Sequence, residues 1–473
     1  MVMSDFKSGI IYSAVGKYSN VVIQLLVNAV LSRILTPDDY GVVAIVQIFL
    51  VFFTLLADMG FGPAIIQNKT LTTKDIRVIY KFSIYVAIVL GFMFMFLGYP
   101  VNIFFENSVY IPIFVILGVS VFFQALLVVP KSILLKDKDF RTVNVVVIAS
   151  GIVKGIVSII LALQNFKYYS IIIGAIVQAI ITYWFYYKKT KISSRVSFSW
   201  EPIKKIWLFS RNQFAFNFIN YFSRNLDSIL IGKFLGPTQL AFYNKSYQIS
   251  LYPNQLLAGI ITPVIQPIMS EYEKETKVIE TVYLRITRIL ANIGIPVSVF
   301  SFFAAEEIIL FIFGNQWVDS VLTFKILAVS IWLQMIASTS GAFYQSTNRT
   351  DLLLFSGVQS MILNALFIIY GVYLGSVEAV GVMLVISFSA NFLVNNYLLM
   401  YQVFETGFKN LIISLTKPII LGIFQIIIFL ILPELQYSIF INLVIKLIVF
   451  SVVFLFGLIV TGQIKEMKKL VSK

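Results

Sequence analysis

The chain has no cysteine and no histidine among its 473 residues. These absences exclude disulfides, thiolate nucleophiles, histidine acid/base pairs and any zinc site of the usual ligand set. Charge is scarce too: Asp, Glu, Lys and Arg make up 12% of the residues, about half of the roughly 25% usual in globular proteins. A chain of this length folding in water would form two or three domains with polar exteriors, and there is too little charge to cover them. With 59% hydrophobic residues, most of the surface is expected to face lipid. Enzymatic chemistry is left with carboxylates, Lys, Ser and Tyr, and the expectation is a non-enzyme. No GxxxxGK[ST] pattern occurs and no polar segment is long enough for a nucleotide-binding domain, so neither a cofactor nor ATP-driven transport is expected.

Fourteen runs have the roughly 20 apolar residues needed to cross a hydrocarbon core of about 30 Å. They lie within 9–34, 40–66, 79–99, 110–130, 141–163, 168–187 and 206–234, and then within 240–269, 282–304, 321–345, 351–374, 378–403, 411–432 and 438–462. The first run carries Lys17, Asn20, Gln24 and Asn28 and lacks a small-residue cleavage site, so it reads as a retained helix and not as a signal peptide. The expected fold class is an all-α polytopic membrane protein.

The formal net charge of +14 is distributed by loop. Alternate loops hold Lys69, Lys74 and Arg77; Lys131, Lys136, Lys138 and Arg141; Lys188 to Lys205; Lys274 to Arg288; and the tail Lys465 to Lys473. The other loops carry Asp38, Asp39, Glu106, Glu306, Glu307, Asp319, Glu378 and Glu434, with little basic beyond Lys167. The positive-inside rule puts both termini in the cytoplasm, which agrees with an even number of spans. The charge then needs no nucleic-acid partner.

The first and seventh runs repeat a polar series. Ser13, Lys17, Asn20, Gln24, Asn28 and Ser32 follow one another by three or four residues and share a helix face. Adding 200 gives Gln213, Asn217, Asn220, Arg224, Ser228 and Gly232, and the same offset relates Arg33 to Lys233, Pro37 to Pro237 and Pro63 to Pro263. Six helices separate the copies, so both halves enter the membrane in the same direction. This describes two parallel six-helix lobes, 1–190 and 206–407, joined by a cytoplasmic linker at 191–205 and followed by two further helices in 408–473.

A charged side chain in mid-membrane costs roughly 2.5 to 3.5 kcal/mol on insertion scales, so Lys17, Lys154, Arg224 and Asp227 should avoid lipid. Asn, Gln and Ser in such helices commonly hydrogen-bond between packed neighbours. Two matched stripes favour a shared hydrophilic cleft instead. Its expected lining is Lys17, Asn20, Gln24, Asn28, Lys154, Arg211, Asn217, Asn220, Arg224 and Lys245. Arg224 has an alternative in an intrahelical pair with Asp227, and Arg211 and Lys245 in snorkelling. The basic excess over Asp58 and Asp227 suits an anionic cargo, since Arg and Lys neutralise phosphate and carboxylate oxygens. Tyr221, Tyr243, Tyr247 and Tyr252 are the aromatic candidates for cleft contacts, and Pro63, Pro263 and Pro296 are candidate bends.

Two stretches, LSRILTPDDYGVVAIVQIFLVFFTLLADMGFGPAIIQNK at 31–69 and DSILIGKFLGPTQLAFYNKSYQISLYPNQLLAGIITPVIQPIMSE at 227–271, resemble the polysaccharide transporter family of Wzx-like lipid-linked oligosaccharide flippases. That family sits in the superfamily that also holds multidrug and toxin extrusion transporters and lipid II flippases. The resemblance implies transfer of an undecaprenyl-diphosphate-linked oligosaccharide across the bacterial plasma membrane, by alternating access around a cationic cavity. It carries the basic cavity character to Lys17, Lys154, Arg211 and Arg224. With no histidine, an H+- or Na+-coupled member would use a carboxylate such as Asp58 or Asp227. Implied partners are the lipid-linked cargo, membrane lipids, a counter-ion and polysaccharide polymerase or export machinery.

Three other readings fit the chain less well. A multidrug exporter would favour an acidic, aromatic cavity, against the basic excess here. A membrane polymerase or ligase often has a large outer loop with clustered charge, whereas 304–320 contains no Lys or Arg. A non-transporting scaffold leaves the matched stripes unexplained.

Overall fold

The computed structural model describes residues 2–433 and 436–463, and within the helices it leaves out some side chains, among them those of 2–15, Lys17, Asn220, Arg224 and 258–264. The described residues form helices and no strand. In chain order these are α1 (Val2–Ile34), α2 (Pro37–Asp58), α3 (Phe61–Gln67), α4 (Thr73–Phe105), α5 (Tyr110–Lys136), α6 (Phe140–Leu163), α7 (Tyr169–Thr190), α8 (Glu201–Phe234) and α9 (Pro237–Met269). There follow α10 (Thr276–Phe303), α11 (Ala305–Phe313), α12 (Asp319–Ala328), α13 (Ile331–Ser346), α14 (Thr350–Tyr373), α15 (Val377–Tyr397), α16 (Phe408–Ile431) and α17 (Ile439–Val460). A π-helical turn, Leu398–Val403, extends α15.

The apolar runs map onto these helices, the second onto α2 with α3 and the tenth onto α12 with α13. Among the described residues, ten spans are long and apolar enough to cross a membrane, or eleven when α12 and α13, bent by 53°, count as one. Within α1 the stretch Tyr18–Ile34 is a shorter apolar helix, and α1 and α8 are the two helices that carry the polar stripes. The protein is thus a multi-pass membrane protein.

Helix starts follow local chemistry. Thr36 and Asp39 form a capping box ahead of Pro37, and Thr72 and Asp75 form another at α4, each satisfying otherwise orphaned backbone N–H groups. The break between α2 and α3 comes from Met59 (φ 44°) and Gly60 (φ 73°), both left-handed. Pro63, expected to bend this span, instead lies in the first turn of α3, where a missing N–H costs nothing. Pro296 does lie inside a helix, α10.

The chain divides into two units, Met1–Ala241 and Phe242–Lys473. In the first, α4 packs on α5, α6 on α1 and α7, and α8 on α2, α3 and α4. Phe94 and Phe114 stack at 4.6 Å in its interior. The segment expected as a linker lies against α4: Lys81 donates to the Val196 carbonyl at 2.9 Å, and Phe82 meets Phe198 and Trp200. In the second unit α10 packs against α12, α13 and α16, and Tyr283 donates to Asn396 Oδ1 at 2.7 Å within the core.

The offset of 200 recurs in the helix boundaries. α1 ends at Ile34 and α2 begins at Pro37; α8 ends at Phe234 and α9 begins at Pro237. The two junctions touch inside the first unit, where the Thr238 hydroxyl donates to Asp38, its partner by the same offset. A Cβ on Gly41 would stand 2.3 Å from the Pro237 carbonyl oxygen, so this approach requires glycine.

Candidate functional site

The α1 stripe is shared between helix packing and open surface. Asn20 lies over α6, its Oδ1 3.7 Å from where a Gly151 Cβ would be, and Val27 fills the space beside Gly155. Gly151 and Gly155 have the small-xxx-small spacing that lets membrane helices approach closely. Gln24 is exposed and Asn28 half-buried, while Ser32 is buried and lies 3.3 Å from the Tyr40 hydroxyl. The Lys17 side chain lies outside the described residues. Lys154 is half-buried on α6 with its stem beside Gly174 of α7.

On α8, Arg211 is exposed and Asn217 half-buried, with Gln213 Nε2 donating to Asn217 Oδ1 at 3.1 Å. Asp227 is buried and accepts from the Ser228 backbone N–H at 2.7 Å. The Asn220 and Arg224 side chains lie outside the described residues. The Tyr221 hydroxyl donates to the Ile48 carbonyl on α2. Lys245 is 4% exposed and sits inside the second unit, its ammonium 4.6 Å from the Phe313 ring and 5.1 Å from the Trp317 ring; it does not snorkel to an interface. Tyr243 and Tyr247 stack on each other at 5.6 Å.

Asp58 is the predicted residue with the most complete surroundings. It closes α2 at the left-handed break and accepts from the Gly62 N–H at 3.2 Å, so its carboxylate is held where the chain turns into α3. A cavity of about 340 Å³ between α2, α3 and α5 opens beside it, lined by Thr54, Asp58, Gly62, Gln124, Lys131 and Ser132 together with apolar residues. Thr54 Oγ1 lies 2.7 Å from Gln124 Oε1, and Gln124 Nε2 donates to Ser120 at 3.0 Å. A Cβ on Gly62 would meet Asp58 Oδ1 at 2.7 Å and Ser132 Oγ at 3.3 Å, so glycine is what lets the carboxylate sit there. A carboxylate, an ammonium and neutral hydrogen-bonding groups around one space can take up and release a proton or small cation without leaving an isolated charge.

Sequence reasoning missed two buried acidic positions. Glu280 on α10 accepts from Thr406 and Asn410, each at 3.0 Å. Glu307 pairs with Lys446 of α17, whose ammonium also donates to the Phe303 carbonyl at 2.8 Å. Lys446 carried a usable signal as the sole charged residue in the apolar run 438–462. Glu307 did not, because a loop acid and a buried acid look alike in sequence. Among the described residues no group of three or more acidic side chains is arranged to hold a metal ion.

The sequence matches the family described as "Polysaccharide biosynthesis protein" over residues 30–322, more than half of the chain. It is 25% identical over 424 residues to the teichuronic acid biosynthesis protein TuaB of Bacillus subtilis (strain 168), covering 89% of this chain and 87% of that protein. It is 20% identical to the lipopolysaccharide biosynthesis protein WzxC of Escherichia coli (strain K12), covering 88% and 85%. Among solved structures, the lipid II flippase MurJ in an inward closed conformation superposes with a TM-score of 0.75 at 14% identity, over 96% of this chain and 99% of that one. An inward-facing multidrug resistance MATE transporter of the MOP superfamily gives 0.61 at 16% identity, over 80% and 94%. The fold is the one these transporters share.

Proposed function

The chain belongs to the polysaccharide biosynthesis protein family, and on that premise we propose that it flips an undecaprenyl-diphosphate-linked oligosaccharide across the bacterial plasma membrane, by alternating access through a cationic cleft lined by α1 and α8. The observation that carries this reading is the matched pair of polar helices. α1 and α8 bear polar side chains at a common register within otherwise apolar runs. A diphosphate and its sugars cannot enter hydrocarbon without exposing desolvated charge. Lys17, Lys154, Arg211 and Arg224 would neutralise the diphosphate through charge-assisted hydrogen bonds, while Asn20, Gln24, Asn28, Asn217 and Asn220 would meet sugar hydroxyls. The polyprenyl tail stays in lipid. Lys245, seated among aromatic rings in the second unit, holds its helix in place on this reading. Both termini face the cytoplasm, and the product feeds assembly of exopolysaccharide, O-antigen or capsule.

Coupling to an H+ or Na+ gradient would run through Asp58 or Asp227. Asp58 has the better-supported claim, because its carboxylate borders an open cavity that also holds Lys131. The test is translocation of the lipid-linked unit in proteoliposomes or cells. Arg224→Ala and Lys17→Ala, inserted normally, should each lower it; wild-type rates in both would end the cationic-cleft reading. Asp58→Asn should remove the response to an imposed gradient, and transport indifferent to every gradient in the wild type would end the coupling reading.

A further inference from the structure

A cavity of about 450 Å³ opens at one end of the second unit, where α10 turns into α11 against α16 and α17. Its lining includes Glu306, Glu307, Asn442 and Lys446, with the Phe303 and Phe429 rings. Lys446 is seven residues into α17, roughly 10 Å along the helix. Glu307 Oε1 holds the Lys446 ammonium. Its other oxygen, Oε2, is buried and has no hydrogen-bond partner among the described residues, although Glu307 as a whole is only 7% exposed. The last torsion of a glutamate is soft, and Glu307 itself lines the cavity, so its carboxylate can reorient there. Glu306, one residue earlier in the first turn of α11, is exposed.

Among the described residues, two carboxylates and one ammonium make a dipolar lining with one surplus negative charge. A bare metal cation is repelled by Lys446, and a simple anion by the carboxylates. A trimethylammonium has no N–H to give Oε2, whereas a primary ammonium has three. The cavity adjoins α17, which exposes Phe440, Ile441, Leu447 and Ile448 and so offers an apolar wall to acyl chains.

We propose that this cavity seats the headgroup of a zwitterionic phospholipid with a primary ammonium, the ammonium between Glu306 and Glu307, the phosphate against Lys446, and the chains along α17. The site belongs to the second unit and uses none of the residues of the α1 and α8 stripes, so it stands or falls independently of the transport reading.

The full-length protein, titrated with dioleoyl phosphatidylethanolamine, phosphatidylcholine and phosphatidylglycerol and read by native mass spectrometry, tests it. Phosphatidylethanolamine should be retained in preference to the other two. Glu306→Gln, an exposed change that leaves the fold intact, should weaken that preference by about tenfold, the effect of one lost charge-assisted hydrogen bond. The double variant Lys446→Met with Glu307→Gln should abolish it. Equal retention of the three lipids by the wild type overturns the proposal, as does a preference unchanged in Glu306→Gln. Binding of soluble phosphoethanolamine without retention of the lipid overturns the lipid source.

Discussion

The Glu307–Lys446 pair allows a quantitative test of how the second unit is held together. The side chains are 9% and 18% exposed, so neither charge is well hydrated, and Lys446 also satisfies the Phe303 carbonyl near the end of α10. Lys446→Met should leave a buried carboxylate without its partner and a carbonyl without its donor. Breaking a buried pair from one side costs about 3 to 5 kcal/mol. Neutralising both sides is different in kind: Lys446→Met with Glu307→Gln removes the charge that would be stranded, and such replacements are commonly near neutral. The double variant should therefore lie within about 1.5 kcal/mol of wild type, with the coupling energy recovered from a double-mutant cycle. Reversible unfolding in mixed micelles, followed by loss of helical signal, gives the needed free energies. A single-variant cost below about 1 kcal/mol, the range of exposed ion pairs, would refute the reasoning by showing the pair to be hydrated. A double variant as damaged as Lys446→Met would refute it differently, by showing that packing and not charge is at stake.

Other expectations follow from single contacts. Gly62→Ala puts a methyl 2.7 Å from Asp58 Oδ1, and should lower gradient-driven transport by about tenfold, equivalent to about 1.4 kcal/mol, while insertion is unchanged; full activity would separate Asp58 from the transport cycle. Gly155→Leu would force α1 off α6, because even a Cβ there stands 2.4 Å from Val27 Cγ2; a loss of about 1 to 3 kcal/mol, typical of overpacking, should be partly restored by adding Val27→Ala. Asp139→Ala removes the N-cap of α6, whose carboxylate accepts from Thr142, at a cost of about 1 kcal/mol at neutral pH. Burial works to raise the Asp139 pKa, but its bonds to Thr142 and the nearby Lys189 and Arg141 charges outweigh this and leave it below the ordinary value. Its contribution is thus present above about pH 4 and lost as the pH falls through the lowered folded value. The wild type and variant should converge in thermal stability in acid; a difference that persists below about pH 2 would contradict this.

Much of the fold could be read from the chain. Apolar runs mark where helices lie because a spanning helix must satisfy its own backbone and face lipid with its side chains. The break at Met59–Gly60 was harder to locate. Pro63 drew attention as the bend, yet the turn is made by two left-handed residues before it, and a left-handed methionine leaves no mark in composition. Lys245 shows a similar limit. Its charge inside a span was evident, but whether it faced water, a lipid headgroup or the rings of Phe313 and Trp317 depended on residues about 70 positions away.

The sequence by itself determined the membrane-spanning, all-helical class and the register of a polar series repeated at an offset of 200. Both depend on local composition and periodicity, which are written along the chain. Only the tertiary structure decided which polar groups meet. Asn20 lies over Gly151, the Asp58 carboxylate beside Gly62 borders an open cavity, and Glu307 is buried against Lys446. A charge in a membrane helix must find a partner, but the energy of that pairing depends on separation in space, and no local pattern records which distant helix supplies it.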